Sequence, residues 1–180
     1  MNLANSLTLL RALLAPLMAF LLLGERFSAA LAVLVMAGLT DALDGYVARH
    51  FHQVTRLGAF LDPFADKLLI VATVIPLACI GRLPLWLVLL IIGRDGVIVA
   101  GAMAYRLLTG HLEMAPTPLS KLNTFLQLGL ILLVLVQAAG LVMEPVPLSV
   151  LFIFVGVVSV LSGLQYVWLW GFKAWRWGRG

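Results

Sequence analysis

The stretch Asp41-Ala42-Leu43-Asp44-Gly45-Tyr46-Val47-Ala48-Arg49, followed after eight residues by Gly58-Ala59-Phe60-Leu61-Asp62-Pro63-Phe64-Ala65-Asp66, holds four of the chain's 8 acidic residues. Apolar runs flank it on both sides, so it reads as parts of two transmembrane helices joined by a short basic loop. A carboxylate in hydrocarbon is costly, and an intramembrane ionisable group therefore reads first as functional. Four converging carboxylates repel one another unless positive charge sits among them. Hard divalent cations supply it: they take oxygen ligands, and Mg²⁺ sites are often completed by substrate phosphates. An Asp–Arg network that merely joins helices is the plainer alternative. Arg49 and Arg94 are too few to balance four nearby carboxylates.

Composition supports the membrane reading. Of 180 residues, 63% are hydrophobic and 11% charged, which fits an integral membrane protein rather than a soluble domain. Cys79 is the only cysteine, so neither an intrachain disulfide nor a Cys-rich zinc site is expected. The net charge of +4 comes from basic residues dispersed at segment ends. That pattern suits anionic lipid headgroups and not nucleic acid. The first 23 residues are short and apolar like a signal peptide, but Arg11 lies inside the run and residues 1–10 hold no Lys or Arg. They are read as a retained first helix.

Six runs are long and apolar enough to span a bilayer: 6–23, 28–49, 59–80, 84–107, 121–142 and 147–170. Little chain remains for anything else, so the expected fold is an all-α, six-transmembrane-helix bundle forming a single membrane domain over residues 1–180. Arg49, Arg56, Arg106, Lys121, Lys173, Arg176 and Arg179 fall on one side, with Arg26 and Arg82 on the other. The positive-inside rule then puts both termini, and the Asp-bearing helix ends, in the cytoplasm. A bacterial inner membrane is the expected location. Trp168, Trp170, Trp175 and Trp177 read as interfacial anchors of the last helix.

Helical spacing turns the acidic stretch into a site. Asp41, Asp44 and Ala48 share one face of the second helix, with Gly45 beside it and Arg49 at its end; Gly58, Asp62 and Asp66 share a face of the third. The short loop makes these helices antiparallel neighbours whose carboxylate faces can meet. The small residues Gly45, Ala48 and Gly58 leave room for a ligand. Such a site suits a diphosphate bound through two metals, which clamp the attacking and leaving oxygens of an in-line displacement at phosphorus. A carboxylate not fully occupied by metal can accept the proton of an attacking hydroxyl.

The string from Asp41 to Asp66 has the form D-x-x-D-G-x-x-A-R, eight residues, G-x-x-x-D-x-x-x-D, and resembles the signature of the CDP-alcohol phosphatidyltransferases. The six-helix layout extends the resemblance over most of the chain. It implies transfer of a phosphatidyl group, or a related phosphoalcohol, from a cytidine diphosphate donor to an alcohol, with release of CMP. By position it makes Asp41, Asp44 and Asp62 metal ligands, and Asp66 both a metal-site residue and the general base. Together with Asp41 and Asp44, it places Gly45, Ala48, Arg49 and Gly58 at the CDP-lipid site. Two Mg²⁺ or Mn²⁺ ions and a homodimer are implied in the same way.

The acceptor rests on shorter motifs. Asn5-Ser6-Leu7-Thr8-Leu9-Leu10-Arg11 resembles the N-terminal motif common to phosphatidylglycerophosphate synthases and the related cardiolipin synthases. Arg11 is an intramembrane cation needing an anionic partner, such as a phosphate. Arg94-Asp95 is either a self-contained ion pair or contributes Arg94 to acceptor binding. Pro116-Thr117 followed by Ser120-Lys121-Leu122-Asn123-Thr124-Phe125-Leu126-Gln127 stands where phosphatidylglycerophosphate synthases usually carry G-K-x-K-T. With Ser120 and Asn123 at the Gly and second Lys positions, the string resembles the cardiolipin synthases of mitochondria and of some bacteria. The donor is then CDP-diacylglycerol. The acceptor is phosphatidylglycerol, or glycerol-3-phosphate in the alternative, held by Arg11, Arg94, Lys121 and Asn123.

Remaining features carry less. His50 and His52 read as solvated interfacial histidines, Pro16 and Pro76 as helix kinks, and Ser162, Gly163 and Tyr166 as close packing with one polar contact. A membrane prenyltransferase also binds a diphosphate through Asp-rich motifs, but on separated helix pairs. A cation or proton transporter would spread its carboxylates through the membrane depth and would leave Gly45-x-x-Ala48-Arg49 unexplained.

Overall fold

The computed structural model describes residues 3–51, 56–109, 117–142 and 147–177. Side chains are described for residues 12–40, 67–105, 117–142 and 147–170, with Leu10 and Leu107. Six helices follow one another over the described residues: α1 (Leu3–Leu23), α2 (Phe27–Phe51), α3 (Arg56–Cys79), α4 (Leu85–Thr109), α5 (Pro118–Ala138) and α6 (Leu148–Trp177). Three contain segments long and apolar enough to cross a membrane, namely Leu85–Tyr105, Pro118–Ala138 and Leu148–Trp170. The apolar segments found in α1, α2 and α3 are shorter, Ala12–Leu23, Phe27–Thr40 and Lys67–Cys79. The latter two adjoin the acidic stretch.

Helix ends follow local chemistry. Three helices close with the same pair of turns, in which a left-handed residue lets backbone N–H groups reach back to otherwise unpaired carbonyls. At α3 this residue is Gly81 (φ 72°), and Arg82 N–H donates to Leu77 O at 2.8 Å. At α5 it is Gly140 (φ 71°), with Leu141 N–H donating to Val136 O at 3.2 Å. That cap ends α5 at Ala138, four residues before the end of the apolar run. After α1 the left-handed position falls on Glu25 (φ 53°) and not on the adjacent Gly24, while Arg26 N–H donates to Leu21 O at 2.8 Å. A Cβ in that region is strained.

Two compact units divide the chain: Met1–Leu83 with Ile131–Pro145, and Pro84–Leu130 with Val146–Gly180. In the first, α1 packs against both α2 and α3. Its buried stripe is Leu14, Ala15, Met18, Leu21 and Leu22, the spacing of one helical face. Alongside it, α2 buries Phe27, Ala30, Leu34 and Ala37, and α3 buries Leu69, Thr73, Val74 and Leu77. The Arg82 guanidinium lies 5.2 Å from the centroid of the Phe27 ring, so the α1–α2 and α3–α4 turns share one end of this unit.

In the second unit α4 packs along α6. Glycines let indole rings into the seam. A Cβ on Gly156 would stand 2.7 Å from Trp86, and one on Gly101 would stand 2.9 Å from Trp170. Trp170 also meets Tyr105, with ring centroids 5.1 Å apart and planes tilted by 50°. Of the two described tryptophans expected as interfacial anchors, Trp168 stays 69% exposed while Trp170 turns into the α4 seam. The missing side chain at Gly101 is what admits it. Trp175 and Trp177 lie outside the described side chains.

Candidate functional site

The acidic stretch falls on two helices, as its spacing predicts. Asp41, Asp44, Gly45, Ala48 and Arg49 are within α2, and Gly58, Asp62 and Asp66 within α3. Their side chains, like that of Arg11 on α1, lie outside the described residues. The helix register is informative nonetheless. The buried positions 27, 30, 34 and 37 of α2 advance by three and four, and the same alternation continues through positions 41, 44 and 48. On α3, positions 62 and 66 lead into the buried line 69, 73 and 77. The apolar part of each stripe faces a neighbour in the first unit, with α1 as the shared partner of α2 and α3. Among the described residues no group of three or more His, Cys, Asp or Glu side chains comes together. The donor set of the acidic stretch consists of carboxylates alone, which is the hard-oxygen chemistry that Mg²⁺ and Mn²⁺ take.

The second unit holds a buried polar network centred on Arg94, which is 8% exposed on α4. Its Nη1 donates to Asp95 Oδ1 at 2.6 Å, and its Nε and Nη2 donate to Ser162 Oγ at 3.3 and 3.0 Å. A further Nη2 hydrogen bond goes to Ser120 Oγ on α5. The guanidinium carbon lies 6.0 Å from the centroid of the Tyr166 ring, and Gly163 keeps the α6 surface low beside the Arg94 stem, 3.7 Å from where a Cβ would be. A guanidinium has five N–H groups. Four are engaged here, which leaves one on Nη1 among the described residues. Of the two readings of Arg94-Asp95, the ion pair is present, with Asp95 18% exposed. Ser162 and Tyr166 do more than pack: Ser162 takes two bonds from Arg94, and Tyr166 Oη accepts from Thr117 N–H at 3.3 Å.

One turn further along α5 lies a second polar group. Asn123 is fully buried, and its Oδ1 accepts from Ser159 Oγ at 2.9 Å. Gln127 Nε2 donates to the same Ser159 Oγ at 3.2 Å. Among the described residues Asn123 Nδ2 is buried without a hydrogen-bond partner. An unsatisfied buried donor of this kind costs about 1–3 kcal/mol. Lys121, one of the acceptor candidates, is exposed, two positions from Asn123 and on a different side of α5. The buried stripe of α5 thus begins polar (Ser120, Asn123, Gln127) and ends apolar (Leu130, Ile131, Val134, Leu135).

The sequence singles out Arg94 and Asn123 but not Ser159, Ser162 or Tyr166 as their partners. A signal for them exists: these three stand at intervals of three and four on α6, a polar line through a mostly apolar helix.

With this arrangement in place, likeness to known proteins is informative. The family model described as CDP-alcohol phosphatidyltransferase matches residues 1–171, and the chain belongs to that family. Members generally depend on a divalent metal. The chain is 34% identical over 178 residues to the cardiolipin synthase (CMP-forming) of Homo sapiens, a match covering 90% of this chain and 59% of the relative. It is 32% identical over 183 residues to the probable cardiolipin synthase (CMP-forming) of Drosophila melanogaster, covering 93% and 57%. The CDP-diacylglycerol–glycerol-3-phosphate 3-phosphatidyltransferase of Bacillus subtilis (strain 168) is 32% identical over 181 residues, covering 92% and 93%. The chain therefore spans less than two thirds of the length of either cardiolipin synthase.

Proposed function

We propose that the chain is an integral membrane enzyme transferring the phosphatidyl group of CDP-diacylglycerol to a hydroxyl of phosphatidylglycerol, giving cardiolipin and CMP. The observation that carries this reading is the pair Ser120 and Asn123, neutral and buried where the phosphatidylglycerophosphate synthase pattern has Gly and Lys. Glycerol-3-phosphate brings a phosphomonoester of about two negative charges and favours several cations. Phosphatidylglycerol brings a phosphodiester of a single charge on a molecule that already resides in the bilayer. A buried amide suits the second acceptor better than the first.

In the proposed reaction the acceptor hydroxyl oxygen bonds to the phosphatidyl phosphorus as the bond to the CMP oxygen breaks. Its proton passes to the Asp66 carboxylate. Asp41, Asp44 and Asp62, with Asp66, would hold two divalent cations, Mg²⁺ or Mn²⁺. When bound, these supply charge stabilisation for the attacking and leaving oxygens. Gly45, Ala48 and Gly58 leave space at the CDP-lipid site, and Arg49 offers its guanidinium to diphosphate oxygens. Asn123, Lys121, Arg11 and the remaining Nη1 proton of Arg94 bind the acceptor.

All six helices are proposed to span the membrane, a bacterial inner membrane, with both termini and the Asp-bearing helix ends cytoplasmic and the chain working as a homodimer. The Lys and Arg asymmetry supports that orientation. So does the contact of Arg82 with Phe27, which brings the two turns assigned to the outer side to one end of the first unit.

A second reading keeps the chemistry and changes the acceptor to glycerol-3-phosphate. The near full-length match to the Bacillus subtilis transferase favours it. An acceptor screen with CDP-diacylglycerol decides, following CMP release and weighing the lipid product. Cardiolipin is expected, with glycerol-3-phosphate a poor substitute. Asn123→Lys combined with Ser120→Gly is expected to shift the ratio of efficiencies toward glycerol-3-phosphate. Efficient phosphatidylglycerophosphate formation without cardiolipin would establish the second reading.

A further inference from the structure

The polar ladder Gln127–Ser159–Asn123 has a direction. Gln127 faces Ser159 with its amide nitrogen, which has only protons to give, so the Ser159 oxygen must accept at 3.2 Å. A serine hydroxyl has one proton, and here it goes to Asn123 Oδ1 at 2.9 Å. The Asn123 carbonyl is thereby used, and its NH₂ is the end left over, fully buried and without a partner. A lone asparagine in an apolar helix seam could present either end of its amide. Here Ser159 holds the carbonyl end, and the ladder leaves a donor where a buried polar group ordinarily finds an acceptor.

We propose that Gln127 and Ser159 are positioning residues that hold the Asn123 side-chain amide with its NH₂ turned toward an acceptor substrate's oxygen. The inference rests on the reading of Asn123 as an acceptor-binding residue and assigns its orientation to Gln127, the last residue of the Ser120–Gln127 string, and to Ser159, which no motif includes. The matching ligand chemistry is a phosphoryl or hydroxyl oxygen with a free lone pair. A phosphodiester lipid and a free phosphomonoester both carry one. The ladder sets which end of the amide meets the acceptor. It bears on acceptor affinity and not on the CDP-lipid.

The test uses the full chain in mixed micelles with CDP-diacylglycerol and, separately, phosphatidylglycerol and glycerol-3-phosphate, and it reads the KM of each substrate. For the acceptor that the unmodified enzyme uses, Ser159→Ala and Gln127→Met should each raise KM by about tenfold, the scale of one hydrogen bond. The KM for CDP-diacylglycerol should stay at the parent value, which also reports that the variant is folded. Because both changes act through one amide, the double variant should raise the acceptor KM no further than Ser159→Ala alone. Should Ser159→Ala lose donor binding, Gln127→Met carries the test. If Asn123→Leu raises the acceptor KM while the Ser159 and Gln127 variants do not, or if their effects simply add, the positioning role is overturned. If Asn123→Leu leaves the acceptor KM unchanged, the acceptor reading of Asn123 fails, and the ladder's role falls with it.

Discussion

Helices α2 and α3 carry four carboxylates within one short stretch, whereas the buried face of α4, α5 and α6 carries one Arg–Asp pair among Ser, Asn, Gln and Tyr. The first region holds more carboxylates than cationic side chains, and the proposed function makes up that deficit with divalent cations. Among the described residues the second comes closer to satisfying itself: Arg94 engages four of its five N–H groups, while Asn123 Nδ2 and Gln165 Oε1 are buried without a hydrogen-bond partner. In a medium where unpaired polar groups are costly, each arrangement indicates what it lacks. The acidic stretch sets Arg49 and Arg56 against four carboxylates. The neutral region leaves the Asn123 amide donor without an acceptor among the described residues.

This contrast breaks most visibly at the metal. Exhaustive chelation is expected to bring CMP release below detection, with Mg²⁺ or Mn²⁺ restoring it. Asp62→Asn should lose more than the roughly hundredfold that an outer-shell partner is worth, with the folded protein still in the membrane. Full activity after metal-free dialysis would remove the need for external cations, and with it the first half of the comparison.

Asp66→Asn sharpens the same half. As the proposed base it should reduce kcat by about 10²–10⁴-fold, with a smaller change in donor KM. Near-parent turnover would exclude Asp66 as the base.

Arg94→Ala tests the second region through stability. It removes the cation that balances the partly buried Asp95 and leaves Ser120 and Ser162 short of a donor, so thermal unfolding in detergent should report a loss of about 3–5 kcal/mol. Replacing Arg94 and Asp95 together by Met and Leu should recover much of it. An Arg94→Ala protein of parent stability but raised acceptor KM would make acceptor binding, and not the pairing with Asp95, the main role of Arg94.

The smallest effect lies far from either region. Glu25 holds a left-handed backbone where glycine is favoured, and Glu25→Gly is expected to stabilise by about 1 kcal/mol in the same unfolding measurement. A loss of stability would mean that the Glu25 side chain makes a contact worth more than the strain.

Much of the molecule is legible in its amino-acid sequence. The six apolar runs each contain most of one observed helix, and three of those helices hold segments long and apolar enough to cross a membrane. The acidic motif is legible for the converse reason: Asp41, Asp44, Asp62 and Asp66 stand out against apolar flanks, and ionisable groups in that setting read first as functional. Neutral polar residues give no such contrast. Ser162 and Tyr166 read as close packing with one polar contact and Ser159 gives no signal of its own, since a hydroxyl in an apolar helix can satisfy itself on its own backbone, as Thr73 does by donating to Leu69 O at 2.7 Å.

Sequence alone thus determined the class of membrane protein, the helix count over the described residues and the acidic stretch, since hydropathy and fixed spacing are properties of a single chain segment. Tertiary structure alone decided that Ser120 rather than Lys121 meets Arg94, that Trp170 leaves the interface for the Gly101 floor, and which end of the Asn123 amide is left without a partner. Those outcomes depend on which residue of one helix faces which residue of another. Hydrogen-bond direction then passes from Gln127 through Ser159 to Asn123, across helices whose pairing no local pattern encodes.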